Sequence, residues 1–141
     1  MRAFREYLPD YLEEAVRNRE EAIVSAIAND QQFRRGVNGH DVKIWSYCPY
    51  SPSTIREKKR KGQPSTRVTL RDTGEFHGAM HIVYEPDGFS ITSDSFKTKY
   101  LVPRYGETIF RLTDKNFTRI VRSHIRKDLA KMVRRALKSK V

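Results

Sequence analysis

The fold is decided by residues 113–138, which read TDKNFTRIVRSHIRKDLAKMVRRALK. Apolar side chains recur there at three- and four-residue spacing, which is the periodicity of an amphipathic helix. The spacing predicts a helix over about 114–138, roughly 37 Å long at 1.5 Å per residue. Thr113 and Asp114 are its predicted N-terminal cap, because short polar side chains accept hydrogen bonds from the first backbone N–H groups. The predicted buried stripe consists of Phe117, Ile120, Val121, His124, Ile125, Leu129, Met132, Val133 and Ala136.

Positive charge is concentrated in two zones of the chain. Residues 111–141 contain 11 Lys or Arg and 2 Asp or Glu, a net +9, and residues 54–71 contain 7 and 1, a net +6. The formal net charge of the whole chain is +11, so the remainder is mildly acidic. Two basic zones on an acidic body favour a negatively charged partner, either an acidic protein surface or the phosphates of a nucleic acid.

Ahead of the last helix the sequence predicts three shorter helical segments. Pro9 and the three acids that follow within five residues open a helix predicted over about 9–30. A short basic helix is predicted from Ile55 to Lys61, ended by Gly62. A third helical piece is predicted near Lys97 to Leu101.

Four short strands are predicted from β-branched and alternating residues. The two clearest are His81–Glu85 and Phe89–Ser93, joined at Pro86-Asp87-Gly88, where Pro fixes φ and Gly accepts a positive φ. These two form a predicted hairpin. Arg67–Leu70 and Thr108–Leu112 are the other two predicted strands.

Length and composition predict a single α+β domain over residues 1–141. The expected architecture is a small, mostly antiparallel sheet with an N-terminal helix and a long, basic amphipathic C-terminal helix. No run of about 20 apolar residues is present, so no membrane partner is expected. Cys48 is the only cysteine and cannot form an internal disulfide.

One motif invites a catalytic interpretation. In aspartic proteases, two Asp-Thr-Gly tripeptides bring two aspartates together so that they share one water molecule. This chain has one such tripeptide, Asp72-Thr73-Gly74, and a homodimer could supply the second aspartate. Two features argue against a protease. The tripeptide of a protease follows apolar residues in a buried strand, but here Arg71 precedes it. It is also braced by a later apolar-apolar-Gly segment, but no glycine follows Gly106 in this chain. The alternative is structural: Asp72, Thr73 and Gly74 cap a short helical turn over about 74–79.

Other constellations of reactive residues are weak. His77 and His81 have the spacing of a helical metal pair but no third ligand nearby, so neither a metal site nor a cofactor is expected. The sequence contains no glycine-rich phosphate loop and no nucleophile elbow, and we expect no enzymatic activity. A free-standing basic nucleic-acid-binding module stays open as an alternative, although aromatic residues are not interleaved with the basic runs.

The order of motifs in the centre of the chain resembles the phage virion-morphogenesis and tail-completion family. The resemblance covers about residues 45–130. It is carried, in order, by Trp45, Tyr50-Ser51-Pro52-Ser53-Thr54, Lys58-Lys59-Arg60-Lys61, Val68 to Phe76 with the Asp-Thr-Gly tripeptide, Tyr100, Tyr105-Gly106, and Phe110 to Asn116 before the basic helix. Val102-Pro103-Arg104 departs from the family pattern.

This resemblance implies a non-catalytic structural protein of a tailed bacteriophage virion, assembled in the cytoplasm of the bacterial host. It would complete or terminate the tail, or join head to tail at the neck as a connector subunit. The expected partners are further copies of the chain in a homo-oligomeric ring, other tail or neck proteins, and DNA in the ring lumen. The expected interface residues are Trp45, Tyr50, Lys58, Lys59, Arg60 and Lys61.

Overall fold

The computed structural model describes residues 2–86 and 88–138, and the side chains of residues 10–86 and 88–138. It has the predicted α+β class, with one antiparallel two-stranded sheet and a long C-terminal helix. The elements are α1 (Arg2–Arg17), α2 (Glu20–Ser25) continued by a π-helix (Ala26–Arg34), a 3-10 turn (Ile44–Ser46), α3 (Pro52–Arg60), α4 (Glu75–Gly78), β1 (Met80–Glu85), β2 (Gly88–Ser93), α5 (Thr98–Tyr105), a 3-10 turn (Glu107–Phe110), α6 (Asp114–Phe117), a π-helix (Thr118–Ile125) and α7 (Arg126–Lys138).

The predicted hairpin is confirmed. β1 and β2 are antiparallel, with Ile82 opposite Ile91 and Glu85 opposite Gly88. Asp87, the centre of the predicted turn, lies outside the described residues. The outer edge of β1 is covered by α2, because Glu20 Oε1 accepts the backbone N–H of Ile82 at 3.1 Å.

The predicted strand over Thr108–Leu112 is wrong, since most of this segment is the 3-10 turn Glu107–Phe110. Its carbonyl groups have other partners. The carbonyl of Thr108 accepts the Gly39 N–H at 2.9 Å, and those of Ile109 and Arg111 accept side-chain amides of the π-helix after α2. A Cβ on Gly39 would lie 2.3 Å from the Cβ of Arg111, so this approach requires glycine. The segment therefore does not pair with β2.

The predicted strand over Arg67–Leu70 is wrong as well. Val68 and Thr69 are fully buried, but the backbone N–H of Thr69 donates to the Tyr50 hydroxyl at 3.1 Å instead of to a strand. Leu70 has a φ of 55°, a left-handed conformation that ends any extended run.

The last helix, formed by α6, the second π-helix and α7, confirms the predicted 114–138 helix. The Oγ1 of Thr113 accepts the backbone N–H of Asn116 at 3.2 Å, so the predicted cap is confirmed at Thr113, whereas Asp114 is the first helical residue. The predicted stripe is only partly buried. Ile120 and Ile125 are enclosed, but Phe117 and His124 are exposed, which corrects their placement.

The N-terminal helix extends beyond the predicted bounds of 9–30. α1 begins at Arg2, the helix breaks after Arg17, and the π-helix after α2 continues to Arg34. α1 packs against α7, and Arg19 forms an ion pair with Asp128 at 3.0 Å. The last helix and the N-terminal helices thus enclose one core. No helix among the described residues is long and apolar enough to span a membrane.

Candidate interaction surfaces

A buried polar network joins the π-helix after α2 to the centre of the chain. Gln32, fully buried, donates from Nε2 to the carbonyl of Ile109 at 2.6 Å, and its Oε1 lies 2.7 Å from His77 Nε2. Arg71 Nε donates to His77 Nδ1 at 3.0 Å. Because Nδ1 accepts from a guanidinium, the ring carries its proton on Nε2 and is neutral. Burial, assisted by the Arg71 charge, lowers the pKa of His77 to about 4.

The two histidines with the spacing of a helical metal pair have hydrogen-bond partners within the chain. His77 is saturated by Gln32 and Arg71, and His81 instead lies 3.2 Å from the carbonyl of Ala79. Within residues 2–86 and 88–138, no three His, Cys, Asp or Glu side chains come together in a way that could hold a metal ion. His77 is therefore a structural residue, which links Arg71 to Gln32 by hydrogen bonds in the interior.

The Asp72-Thr73-Gly74 loop differs from the predicted cap. Gly74, at φ 86°, is the N-cap of α4, and Thr73 Oγ1 accepts the Glu75 N–H at a long 3.4 Å. Asp72 does not cap α4. Its exposed carboxylate accepts from Lys61 Nζ at 3.0 Å and Gln63 Nε2 at 3.1 Å, and these bonds hold its pKa below the ordinary value. Asp72 therefore links the C-terminal end of α3 to the loop before α4.

The first basic zone is neutralised by this chain only in part. Arg60 Nε donates to Glu57 at 3.1 Å, and Lys61 is paired with Asp72. Lys58 Nζ donates to the carbonyl of Arg71 at 2.6 Å. Among the described residues, Arg56 and Lys59 on α3 form no ion pair. Only part of the predicted cationic surface is thus open to a partner.

Trp45 and Tyr50, the predicted aromatic contacts, form an edge-to-face pair with ring centroids 5.7 Å apart. Tyr50 is buried and bonds the backbone of Thr69, while Trp45 is half-buried. Lys58 of α3 lies over the Tyr50 ring, with its ammonium 5.5 Å from the ring centroid, and Tyr50 offers little surface to a partner. The interface role of these two residues stays a prediction.

An open apolar groove of about 880 Å³ runs along β2. Because the N–H of Ile82 points to Glu20, Ile82 and Ile91 form a non-hydrogen-bonded pair, and the N–H of Ile91 points away from β1. In the described part of the chain, no strand pairs with this edge. The groove is lined mainly by Phe89, Ile91, Val102, Phe110, Leu112 and Phe117, with Glu107, Arg111 and Asp114 as its charged members.

The second basic zone presents a separate surface on the last helix. Arg122, Arg126, Lys127, Lys131 and Arg134 are all exposed and lie together along one side of it, and we call them the cationic face. Asp128, the one acid between residues 115 and 138, points elsewhere and is bonded to Arg19.

Comparison with protein-family models, with curated proteins and with solved structures gave no match for this chain.

Sequence reasoning did not identify the groove, because its residues were assigned to other roles. Phe117 was placed on the buried stripe, yet its side chain is 45% exposed at the groove wall. Phe110 was placed in the predicted strand Thr108–Leu112, which does not form. The signal that could have revealed the groove is Gly39, whose missing side chain allows residues 108–111 to turn away from the sheet.

Proposed function

We propose that this chain is a structural subunit of a tailed-bacteriophage virion, one that forms a homo-oligomeric ring at the tail end or at the head–tail neck. The observation that carries the proposal is the apolar groove beside the unpaired edge of β2. Exposed strand edges and apolar patches are normally covered in monomeric proteins, because both promote association. A ring subunit covers them with its neighbour.

The order of motifs from Trp45 to Asn116 supports the phage assignment. The groove supports the ring independently, because a closed ring requires two different, complementary surfaces on each subunit. The groove is one such surface. Its mouth includes the exposed carboxylates of Glu107 and Asp114, the latter bonded to Arg111 at 3.2 Å.

We assign α3 of the neighbouring copy as the complementary surface. Arg56 and Lys59 are exposed on α3 and lack an acidic partner among the described residues. Their charge is opposite to that of Glu107 at the groove mouth. Complementary charge across an interface selects the correct partner and sets the register. Two surfaces of this kind on one subunit generate a head-to-tail contact.

The groove is tested by replacing Phe117 with glutamate. A carboxylate at the groove wall would be desolvated in the interface, so the ring should dissociate while the exposed position leaves the fold intact. The matched control is Phe96→Glu, since Phe96 is 66% exposed and does not line the groove. Light scattering after size-exclusion chromatography and negative-stain microscopy measure the assembly.

We expect wild-type protein and Phe96→Glu to form the same ring and Phe117→Glu to be monomeric, with the three circular dichroism spectra alike. A Phe117→Glu protein that still forms the wild-type ring would exclude the groove as the subunit contact. A wild-type protein that is monomeric at every concentration, and that does not enter particles, would contradict the ring proposal.

The second candidate function is a nucleic-acid-binding module. It is favoured by the cationic face, which makes no ion pair within the described residues. A virion subunit whose surface also contacts DNA would combine both functions.

A further inference from the structure

The two basic zones, which look equivalent in sequence, differ in how their charges are compensated. In the first zone, Arg60 and Lys61 are paired with Glu57 and Asp72. In the second, the five residues of the cationic face form no ion pair within residues 2–86 and 88–138. Uncompensated like charges on one helix side repel one another unless a partner neutralises them. Of the first-zone cations without an acidic partner, only Arg56 and Lys59 are exposed, against five on the cationic face, so the last helix presents the larger unpaired charge to a polyanion.

The cationic face carries its charges closely enough to oppose the dense phosphate charge of a DNA duplex. From Arg126 to Arg134 the helix rises about 12 Å and presents four cations, one per roughly 3–4 Å of axis. Duplex DNA carries one phosphate per strand for about every 3.4 Å of its axis. A straight helix laid against the duplex could therefore place several of these cations near phosphates without a change in its own structure.

The helix is held rigidly by its opposite side. Ile120 and Ile125 are buried in the core, and Asp128 is fixed by two hydrogen bonds from Arg19. Its inward side is therefore occupied by the core and by α1. An amphipathic helix that lies in a bilayer inserts its apolar side, so this packing disfavours an anionic membrane as the partner.

Two absences further define the partner. Residues 118–138 contain no Phe, Tyr or Trp. Single-stranded nucleic acid is bound largely by stacking on aromatic side chains, and protein interfaces have aromatic or apolar anchors at their centre. The cationic face offers Ser123 and Ala130 between its charges, and neither is an anchor.

We propose that the cationic face binds the phosphate backbone of double-stranded DNA without reading its sequence. This inference does not depend on the ring, because a monomer presents the same face. Five phosphate contacts predict a log–log salt slope of about −4.5 and a Kd of roughly 1–100 µM at physiological salt.

The test measures binding of the full chain to a fluorescent 30-base-pair duplex at several salt concentrations. Arg126→Gln, Lys127→Gln and Lys131→Gln are combined, because Gln is a good helix former and the three side chains are exposed. This triple variant should lose affinity on the order of a hundredfold at 0.1 M salt, and its slope should fall in magnitude by about 3. Circular dichroism checks that it is folded.

The matched control removes three exposed charges away from the cationic face and from the proposed ring contact, as Arg60→Gln, Lys61→Gln and Lys99→Gln. Its affinity should stay within about threefold of wild type, since Arg60 and Lys61 already have acidic partners. Equal losses in both variants would mean that net charge alone attracts DNA and would overturn the proposal.

Three further results would also overturn it. One is wild-type protein that binds no duplex at 50 mM salt. Another is tighter binding to a single-stranded 30-mer than to the duplex. The last is a triple variant that loses binding to vesicles of phosphatidylcholine and phosphatidylserine but still binds DNA as the wild type does. Because oligomeric state is measured separately, loss of DNA binding with an intact ring, or the reverse, distinguishes this inference from the proposed function.

Discussion

At the scale of single residues, His77 makes stability depend on pH. The folded protein keeps this ring neutral down to its pKa of about 4, whereas the unfolded chain binds a proton near pH 6.5. Between these values the unfolded state holds more protons, so the free energy of unfolding falls as pH decreases. The contribution is fully present above about pH 6.5 and is lost by about pH 4.

We expect this group to account for about 3 kcal/mol of stability lost between pH 7 and pH 4. Urea unfolding at pH 7, 5.5 and 4.5 measures it. His77→Gln is the comparison, because the amide can accept from Arg71 and donate to Gln32 but does not titrate. Its pH dependence should be weaker than that of wild type over this window. Parallel curves for the two proteins would show that His77 is not the titrating group.

At the scale of elements, the buried apolar side chains of the last helix lie in its first half, and those towards its C-terminal end are more exposed. Ile125 is 2% exposed, whereas Leu137 near the end is 54% exposed. Ile125→Asp buries an unpaired carboxylate, which costs several kcal/mol, a large part of the stability of a small domain. Leu137→Asp makes the same chemical change in solvent and should cost less than about 0.5 kcal/mol.

Thermal unfolding followed by circular dichroism measures both variants. Ile125→Asp is expected to be unfolded or insoluble, and Leu137→Asp to melt within a few degrees of wild type. If both variants retained the wild-type melting temperature, the helix would not be part of the core.

Local patterns predicted some elements well and others poorly for physical reasons. The last helix, its Thr113 cap and the hairpin were predictable because each depends on neighbours in sequence. The segment Thr108–Leu112 has β-branched and aromatic residues, yet its carbonyls bond to Gly39, Gln31 and Gln32, about 70 to 80 positions away. Tertiary hydrogen bonds of this kind override local propensity. The groove was not predicted because it lies where that strand fails to form, and Gly39, the local sign of close packing there, does not show which segment packs against it.

At the scale of the whole molecule, charge complementarity between copies can be tested by exchange. Lys59→Glu should place like charges opposite Glu107 of the neighbour and block assembly, because such a contact costs several kcal/mol. Glu107→Lys should do the same. Combining the two in one chain restores opposite charges at every contact and should restore the ring. Native mass spectrometry reports the copy number of each variant.

Lys59 suits this exchange because its removal leaves the bonds of Lys58 and Lys61 in place. All three proteins should have the wild-type melting temperature. Single variants that assemble normally, or a double variant that stays monomeric, would rule out this pairing of surfaces. The basic run of α3 was predictable from the sequence, whereas the groove beside Glu107 is created only by the tertiary fold. Contact between these two surfaces stays a prediction.

The ion pair between Arg19 and Asp128 has a consequence for biosynthesis. The two residues are 109 positions apart, and at 5–20 residues per second about 5–20 s of translation separates them. During this interval the N-terminal helices lack the helix that encloses their apolar side. The N-terminal helices therefore acquire this ion pair, and the helix that covers them, only after translation has passed Asp128, and we expect the core not to close before that point.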